Sequence, residues 1–176
     1  MRYYPIKIQD YMNDKLIHDS TGQDLGSDGI FDKRFDFEMK EKRFQNVRFQ
    51  INGGLAENDN VVCEGQKIEL PKGEYTFLEV LGCTEYSTYS EQICFQMEDE
   101  SVQKASITLY AISENIDTLY ECELDSRTRI AFHAKGKYAQ KMKYYISRIE
   151  VPKGSKLFIL PDNPEMHIAA CTLIQA

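Results

Sequence analysis

The chain reads Asn60-Val-Val-Cys-Glu-Gly-Gln-Lys-Ile-Glu-Leu-Pro-Lys-Gly-Glu-Tyr-Thr-Phe-Leu-Glu-Val-Leu-Gly82 in its first half. Short runs rich in β-branched residues alternate there with turn residues, and no helical spacing of apolar side chains appears. The second half contains a related phrase, Glu150-Val-Pro-Lys-Gly-Ser-Lys-Leu-Phe-Ile-Leu-Pro161. In both, proline presets φ and glycine permits a positive φ, which is typical of tight turns. We expect each Pro-Lys-Gly to reverse the chain between neighbouring strands, with equivalent corners of two sheets as the alternative.

The rest of the chain also favours strands. Apolar and polar residues alternate most clearly in Ile93–Met97, Ser106–Ile112 and Arg129–Ala134. Segment 137–148 is the exception, because a roughly helical spacing there competes with a strand from Tyr144 onward. About a dozen short strands separated by turn signals predict one all-β domain over residues 1–176, an antiparallel β-sandwich or jelly roll. Further strand candidates span 3–9, 46–51, 61–63, 67–70, 75–81, 118–124, 144–151, 156–160 and 166–174.

Composition limits the classes of partner. A chain of 176 residues with 42% hydrophobic content is long enough for one core and short for two domains. Its net charge of -7 opposes binding to nucleic acid, and no apolar run approaches the length of a membrane span. The five cysteines form no C-x-x-C pair and lie mostly in strand-like runs, which predicts buried thiols. A cytoplasmic setting without membrane contact is expected, because no signal peptide precedes the first strand.

The order of phrases resembles a β-sandwich accessory domain of bacterial glycoside hydrolases and related carbohydrate-active proteins. The resemblance spans most of the chain and lies in turn and strand patterns, so it implies a fold and a carbohydrate-binding role without catalytic residues. The matching phrases are Asp10-Tyr-Met-Asn13, Gly26-Ser-Asp-Gly-Ile-Phe-Asp32, Val47-Arg-Phe-Gln-Ile51, Asn60-Val-Val-Cys-Glu-Gly-Gln66, Leu70-Pro-x-Gly-x-Tyr75, Leu78-Glu-Val-Leu-Gly82 and Ile159-Leu-Pro-Asp-Asn-Pro-Glu-Met-His-Ile-Ala-Ala170.

A sugar-binding face needs aromatic rings that stack on pyranose faces and polar groups that hydrogen-bond hydroxyls. The chain has no Trp but 11 Tyr, and the loop Glu85-Tyr-Ser-Thr-Tyr-Ser-Glu-Gln92 combines tyrosines with carboxylates and an amide. We therefore expect a soluble saccharide or glycan as the ligand, bound without catalysis. The predicted ligand-binding residues are Asp28, Asp32, Arg34, Tyr86, Tyr89 and Glu91.

The loop between His18 and Arg34 also suggests a cation. Its Asp19, Asp24, Asp28 and Asp32 lie among glycines, and oxygen-rich loops of this kind bind Ca²⁺ in other proteins. The spacing is not that of an EF-hand, and Asx turns explain the same composition without any ion. We expect no cofactor and no metal ligand, with a structural Ca²⁺ as the alternative.

Two rival functions stay open from the sequence. The first is a sugar-processing enzyme that uses a carboxylate pair in a cleft, with His133 as a further candidate. Against it, His18, His133 and His167 show no H-x-H or H-E-x-x-H spacing, and His133 and His167 lie in alternating strands. The second is an assembly protein that forms a homo-oligomer through a sheet face or edge.

Overall fold

A computed structural model describes residues 1–18, 29–113, 124–136 and 141–175. They form strands and two short 3₁₀ turns, Gln9–Tyr11 and Lys33–Phe35, and these ranges contain no α-helix. No helix in this part of the chain is long and apolar enough to cross a membrane. The strands are β1 (Arg2–Ile6), β2 (Ile17–His18), β3 (Ile30–Phe31), β4 (Met39–Phe44), β5 (Val47–Asn52), β6 (Val61–Glu64), β7 (Lys67–Glu69), β8 (Phe77–Thr84), β9 (Tyr89–Met97), β10 (Val102–Leu109), β11 (Thr128–Lys135), β12 (Lys141–Glu150), β13 (Ser155–Ile159) and β14 (Asp162–Gln175).

Two antiparallel sheets form the sandwich. The larger sheet has the strand order β1-β14-β8-β12-β11, with β6 also paired to β14, and the smaller has the order β10-β9-β13-β7. Apolar side chains from both sheets meet between them, including Val80, Phe95 and Phe158, which are fully buried. Burial of this layer supplies the hydrophobic stabilisation that joins the sheets.

A second layer covers the outer face of the larger sheet. The hairpin β4-β5 packs there through Phe49 and Ile51, beside the short parallel pair β2-β3. Their partners on the sheet include Leu81, Tyr144 and Ala170. The larger sheet is therefore covered on both faces, and apolar residues are buried on both faces of its central strand β8.

Strand β8 shows how one strand serves both cores. Leu78 and Val80 face the core between the sheets, whereas Leu81 and Cys83 face the core under the hairpin. Strand β14 has a register shift between Ile168 and Ala170 against β8, typical of a β-bulge. The extra residue reverses the alternation of side chains along the strand. Residues on both sides of the bulge therefore face the core between the two sheets.

The Pro-Lys-Gly turns are equivalent corners of the two sheets. The first carries the chain from β7 in the smaller sheet to β8 in the larger, and the second carries it from β12 back to β13. Since β8 pairs with β12 and β7 with β13, the two corners lie side by side. Backbone hydrogen bonds join them, from Val151 N–H to Thr76 O at 3.0 Å and from Leu70 N–H to Lys156 O at 2.8 Å. The corner interpretation is therefore correct, and neither turn joins strands that pair with each other.

The all-β antiparallel sandwich predicted from the sequence is confirmed, and β2-β3 is the parallel exception among the described strand pairs. Segment 137–148 contains the start of β12, so the strand interpretation holds from Lys141 and the helical one is wrong there. The sequence pattern did not predict β4, because Met39–Phe44 has four consecutive charged residues and no alternation of polar and apolar side chains. Most of the predicted strand 118–124 lies outside the described residues.

Candidate functional site

The two corners enclose a cleft of about 510 Å³, which we call the corner cleft. Tyr75 and Phe77 are its partly exposed aromatic walls. Carboxylates of Glu74 and Glu150 and the amide of Gln175 add polar groups at its rim. The cleft is lined by residues 73–77, residues 150–155 and Gln175.

Neighbouring side chains fix the positions of the two aromatic walls. The ring of Tyr75 packs edge-on against Tyr4, with 5.7 Å between centroids, and the Tyr4 hydroxyl donates to Gln175 Oε1 at 2.9 Å. The guanidinium of Arg148 lies 4.9 Å from the centroid of Phe77 and is itself anchored by a 2.7 Å hydrogen bond from Nε to buried Glu79 Oε1. Walls supported in this way keep their positions before a ligand arrives, which lowers the entropic cost of binding.

Of the six ligand-binding residues predicted from the sequence, the five that the structure describes do not line the corner cleft. Asp28 lies outside the described residues. Asp32 caps the 3₁₀ turn Lys33–Phe35 by accepting from Arg34 N–H, and it also pairs with the Arg34 guanidinium, Nε to Oδ1 being 2.9 Å. This guanidinium lowers the pKa of Asp32 below its usual value. Arg34 Nη2 further donates to His133 O at 2.9 Å, so this pair anchors the turn to β11.

Tyr86 lies on the connection from β8 to β9, whereas Tyr89 and Glu91 lie in β9 itself. Tyr86 is 58% exposed, whereas Tyr89 packs against the core between the two sheets. Glu91 accepts a 3.0 Å hydrogen bond from Asn163 Nδ2. No hydrogen bond or ion pair joins these residues to Asp32 or Arg34 within the part of the chain that the structure describes. Tyr86 is the member of this group best exposed for stacking on a ligand.

A buried polar group surrounds His167 on β14. His167 Nδ1 lies 2.9 Å from Asn60 Oδ1, and Nε2 lies 3.0 Å from Glu85 Oε1. Asn60 Nδ2 donates to Asp14 Oδ2 at 3.2 Å and to Asp59 Oδ1 at 3.0 Å, so only its oxygen is left to face the imidazole. Both imidazole nitrogens therefore face side-chain oxygens that can accept a hydrogen bond.

This arrangement ties the chain before β2 to the large sheet. Asp59 accepts from Leu16 N–H at 3.0 Å and from Ile17 N–H at 2.7 Å. Burial raises the pKa of Asp59 to about 7, although these N–H donors lower it in part. Hydrogen bonds occupy both nitrogens of His167, and its ring is buried. We interpret the group as structural.

The calcium hypothesis rests largely on residues outside the described part of the chain, since Asp19, Asp24 and Asp28 all lie there. Within the described ranges, no group of three or more His, Cys, Asp or Glu is placed to hold a metal ion.

The sequence did not predict four residues of the cleft, Tyr75, Phe77, Glu150 and Gln175. The signal was present in the two Pro-Lys-Gly phrases, because residues next to both turns form the cleft. What was missing was the knowledge that two turns so far apart in the chain lie side by side.

Comparison with curated proteins gives no significant match. A family model described as the AziU2-like beta-sandwich domain matches residues 36–176. This match supports the sandwich expected from the resemblance but not an accessory role in glycoside hydrolases. Because the match covers most of the chain, the protein belongs to the AziU2-like β-sandwich domain family.

Proposed function

We propose that this domain binds a saccharide without catalysis and that the ligand occupies the corner cleft. The observation that carries the proposal is the combination of Tyr75 and Phe77 with carboxylate and amide groups around one cleft of about 510 Å³. Ligand sites typically have volumes of roughly 300 to 1,000 Å³. Rings that stack on a pyranose, beside acceptors for its hydroxyls, are the chemistry that saccharide recognition uses.

The polar rim is available to a ligand. Glu74 pairs with Lys153 at 3.3 Å, and the side chains are 78% and 83% exposed. Such an exposed pair contributes roughly 0 to 1 kcal/mol, so exchanging it for sugar hydroxyls costs little. Lys153 also lines the cleft and supplies a hydrogen-bond donor.

A binding role fits these carboxylates better than hydrolysis does. Glycoside hydrolysis needs one carboxyl that stays protonated, and proteins achieve this by burial or by a close second charge. Glu74 and Glu150 are both exposed at the rim. Neither is enclosed in the apolar setting that a general acid requires.

The experiment is a thermal-shift screen against mono-, di- and oligosaccharides, followed by calorimetric titration of the hits with three variants. We expect Tyr75→Ala to weaken binding by about three- to tenfold, the value of one aromatic stacking contact. Glu150→Gln is the milder cleft variant, because the Glu150 side chain is exposed and the loss of its charge does not disturb the core. Tyr86→Ala is the matched control on the β8–β9 connection and should bind like the unaltered protein.

The outcomes separate the two sites. Loss of binding in Tyr86→Ala, with Tyr75→Ala unaffected, would place the saccharide on the loop predicted from the sequence. A flat response of the unaltered protein to every saccharide would contradict the proposed function. A Tyr75→Ala protein that no longer unfolds cooperatively would leave Glu150→Gln to decide.

Self-association stays a prediction beside this proposal. In the described residues β10 is an end strand of the smaller sheet, and Val102 on it is 53% exposed. End strands offer unpaired backbone groups to a second chain. Light scattering of the purified protein at several concentrations measures the oligomeric state, and a monomer throughout would contradict assembly.

A further inference from the structure

A second cavity, on the outer side of the larger sheet, is lined by arginines. Its volume is about 420 Å³, and we call it the arginine groove. Strand β1 and the hairpin β4-β5 contribute its walls, since β1 contacts β5. The lining residues are Met1, Arg2, Tyr3, Tyr4, Arg43 and Arg48.

The hairpin register places two of these positive charges together. Arg43 and Arg48 are direct partners across β4 and β5, so both side chains project from the same face of the hairpin. Directly opposed residues have Cβ atoms about 5 Å apart, and like charges in this position destabilise a sheet. Both side chains are exposed, and the apolar side chains beside them, such as Phe49, point to the core.

Acidic side chains do little to offset this charge. Of the three arginines, Arg48 has an ion pair in the described residues, to Glu41 at 3.7 Å, and both side chains are at least half exposed. No Asp or Glu is among the residues that line the groove. The chain as a whole carries a net charge of -7, so this concentration of positive charge is local.

The chemistry of the groove selects its ligand. A guanidinium presents a planar fork of N–H donors that matches phosphate oxygens two at a time, and it stays charged at all physiological pH values. Three such groups around a small cavity suit a compact anion with several negative charges. An extended nucleic acid is disfavoured by the acidic charge of the rest of the protein.

We propose that the arginine groove binds the phosphate group of a small phosphorylated molecule. Arg43 and Arg48 grip the phosphate from the hairpin, and Arg2 does so from β1. The Tyr4 hydroxyl is held by Gln175, which also lines the corner cleft, so the two cavities adjoin but use different groups. This site does not depend on saccharide binding in the cleft.

The test is calorimetric titration with inorganic pyrophosphate at low ionic strength, using the unaltered protein and single variants. We expect a Kd below about 1 mM and a weakening of about tenfold in Arg43→Gln and in Arg48→Gln, since each removes one bidentate contact. Arg43→Lys keeps the charge but loses the fork, so it should weaken binding less than Arg43→Gln. Lys40→Gln makes the same charge change on the same strand outside the groove and should leave the Kd unchanged.

A second readout separates binding from folding. Without anion, Arg43→Gln should keep or raise the melting temperature, because it relieves the repulsion between Arg43 and Arg48. At the same pyrophosphate concentration, the melting temperature should rise less in the variant than in the unaltered protein.

The proposal is overturned if pyrophosphate does not bind, or if Lys40→Gln weakens it as much as the arginine variants do. Equal affinity for citrate would also overturn it, because the groove would then recognise negative charge in general and not the phosphate group. A DNA oligonucleotide that binds more tightly than pyrophosphate would replace the small molecule with a nucleic acid.

Discussion

Glu79 carries a carboxylate that is fully buried in the larger sheet. Its oxygens accept from Arg129 Nη2 at 3.0 Å and from Arg148 Nε at 2.7 Å. The two guanidiniums reach the surface, with about a third of each side chain exposed. Glu79 therefore joins β8, β12 and β11, and through Arg148 it also supports the wall of the corner cleft.

We predict that Glu79→Ala lowers the free energy of unfolding by about 2 to 4 kcal/mol, since it leaves two guanidiniums without their buried partner. Chemical denaturation measures the change. Glu74→Ala is the matched control, because it removes an acid whose ion pair with Lys153 is largely exposed, and it should cost less than about 1 kcal/mol. Equal losses in the two variants would contradict the assignment.

Asp59 makes stability depend on pH. Burial raises its pKa from 3.8 to about 7, so between these values the folded state holds a proton that the unfolded chain has released. Its contribution to stability is full below about pH 4 and is lost as the pH rises through about 7. Asp14 acts in the opposite sense, because its hydrogen bond with His167 lowers its pKa below the usual value.

We predict that the unaltered protein loses stability relative to Asp59→Asn as the pH rises from 4 to 7. The expected change is about 2 to 4 kcal/mol, since one pKa unit corresponds to about 1.4 kcal/mol. Denaturation at several pH values gives the difference between the two proteins, in which contributions of the titratable groups that both proteins share largely cancel. A carboxyl NMR titration of Asp59 with a midpoint near 4 would contradict the prediction.

The two strands of the β4-β5 hairpin are joined by a strained turn. Gln45 and Asn46 connect the strands with φ values of 46° and 66°, as in a type I′ turn. A positive φ is energetically unfavourable for glutamine, whereas asparagine and glycine adopt it readily. The hairpin nevertheless forms, because Phe49 and Ile51 are buried against the larger sheet.

We predict that changing Gln45-Asn46 to Asn-Gly raises the free energy of unfolding by about 0.5 to 1 kcal/mol. Chemical denaturation is again the measurement. As a control, Gln45→Ala at the same positive φ should not stabilise the protein. Destabilisation by Asn-Gly would show that the Gln45 side chain, whose Nε2 donates to Ile130 O at 3.0 Å, matters more than the turn.

The whole molecule has two cores that share one sheet. Cys63 and Cys171 lie in the core between the sheets and Cys83 in the core under the hairpin, all fully buried. Burial raises the pKa of Cys63 to about 12 and raises those of Cys83 and Cys171 as well, so their thiols are inert in the folded state. Because alternate residues of β8 face opposite cores, loss of this strand disrupts both cores.

We predict that Cys83 and Cys171 react with a thiol reagent at the same rate, set by global unfolding. Cys94, which is half-buried, and Cys122 are first replaced by serine, and mass spectrometry of labelled peptides gives the two rates. Faster labelling of Cys83 would contradict a single cooperative unit, because the hairpin layer would then open while the sandwich stays closed.

The all-β sandwich could be predicted from local sequence, because strand alternation and turn chemistry act over a few residues and are visible in phrases such as Asn60 to Gly82. It also placed both Pro-Lys-Gly turns. Strand β4 was not predicted, because it is held in place by the burial of its partner β5 and not by a pattern in its own sequence.

The positions of the cavities, in contrast, depend on tertiary contacts. The tertiary structure brought the corner of Tyr75 beside that of Glu150 and set Arg43 opposite Arg48 near Arg2. It also showed that Asp32 and Arg34 pair with each other and that Arg34 hydrogen-bonds to β11. These contacts join residues far apart in the chain, and they depend on strand order and register, which no local pattern of residues encodes.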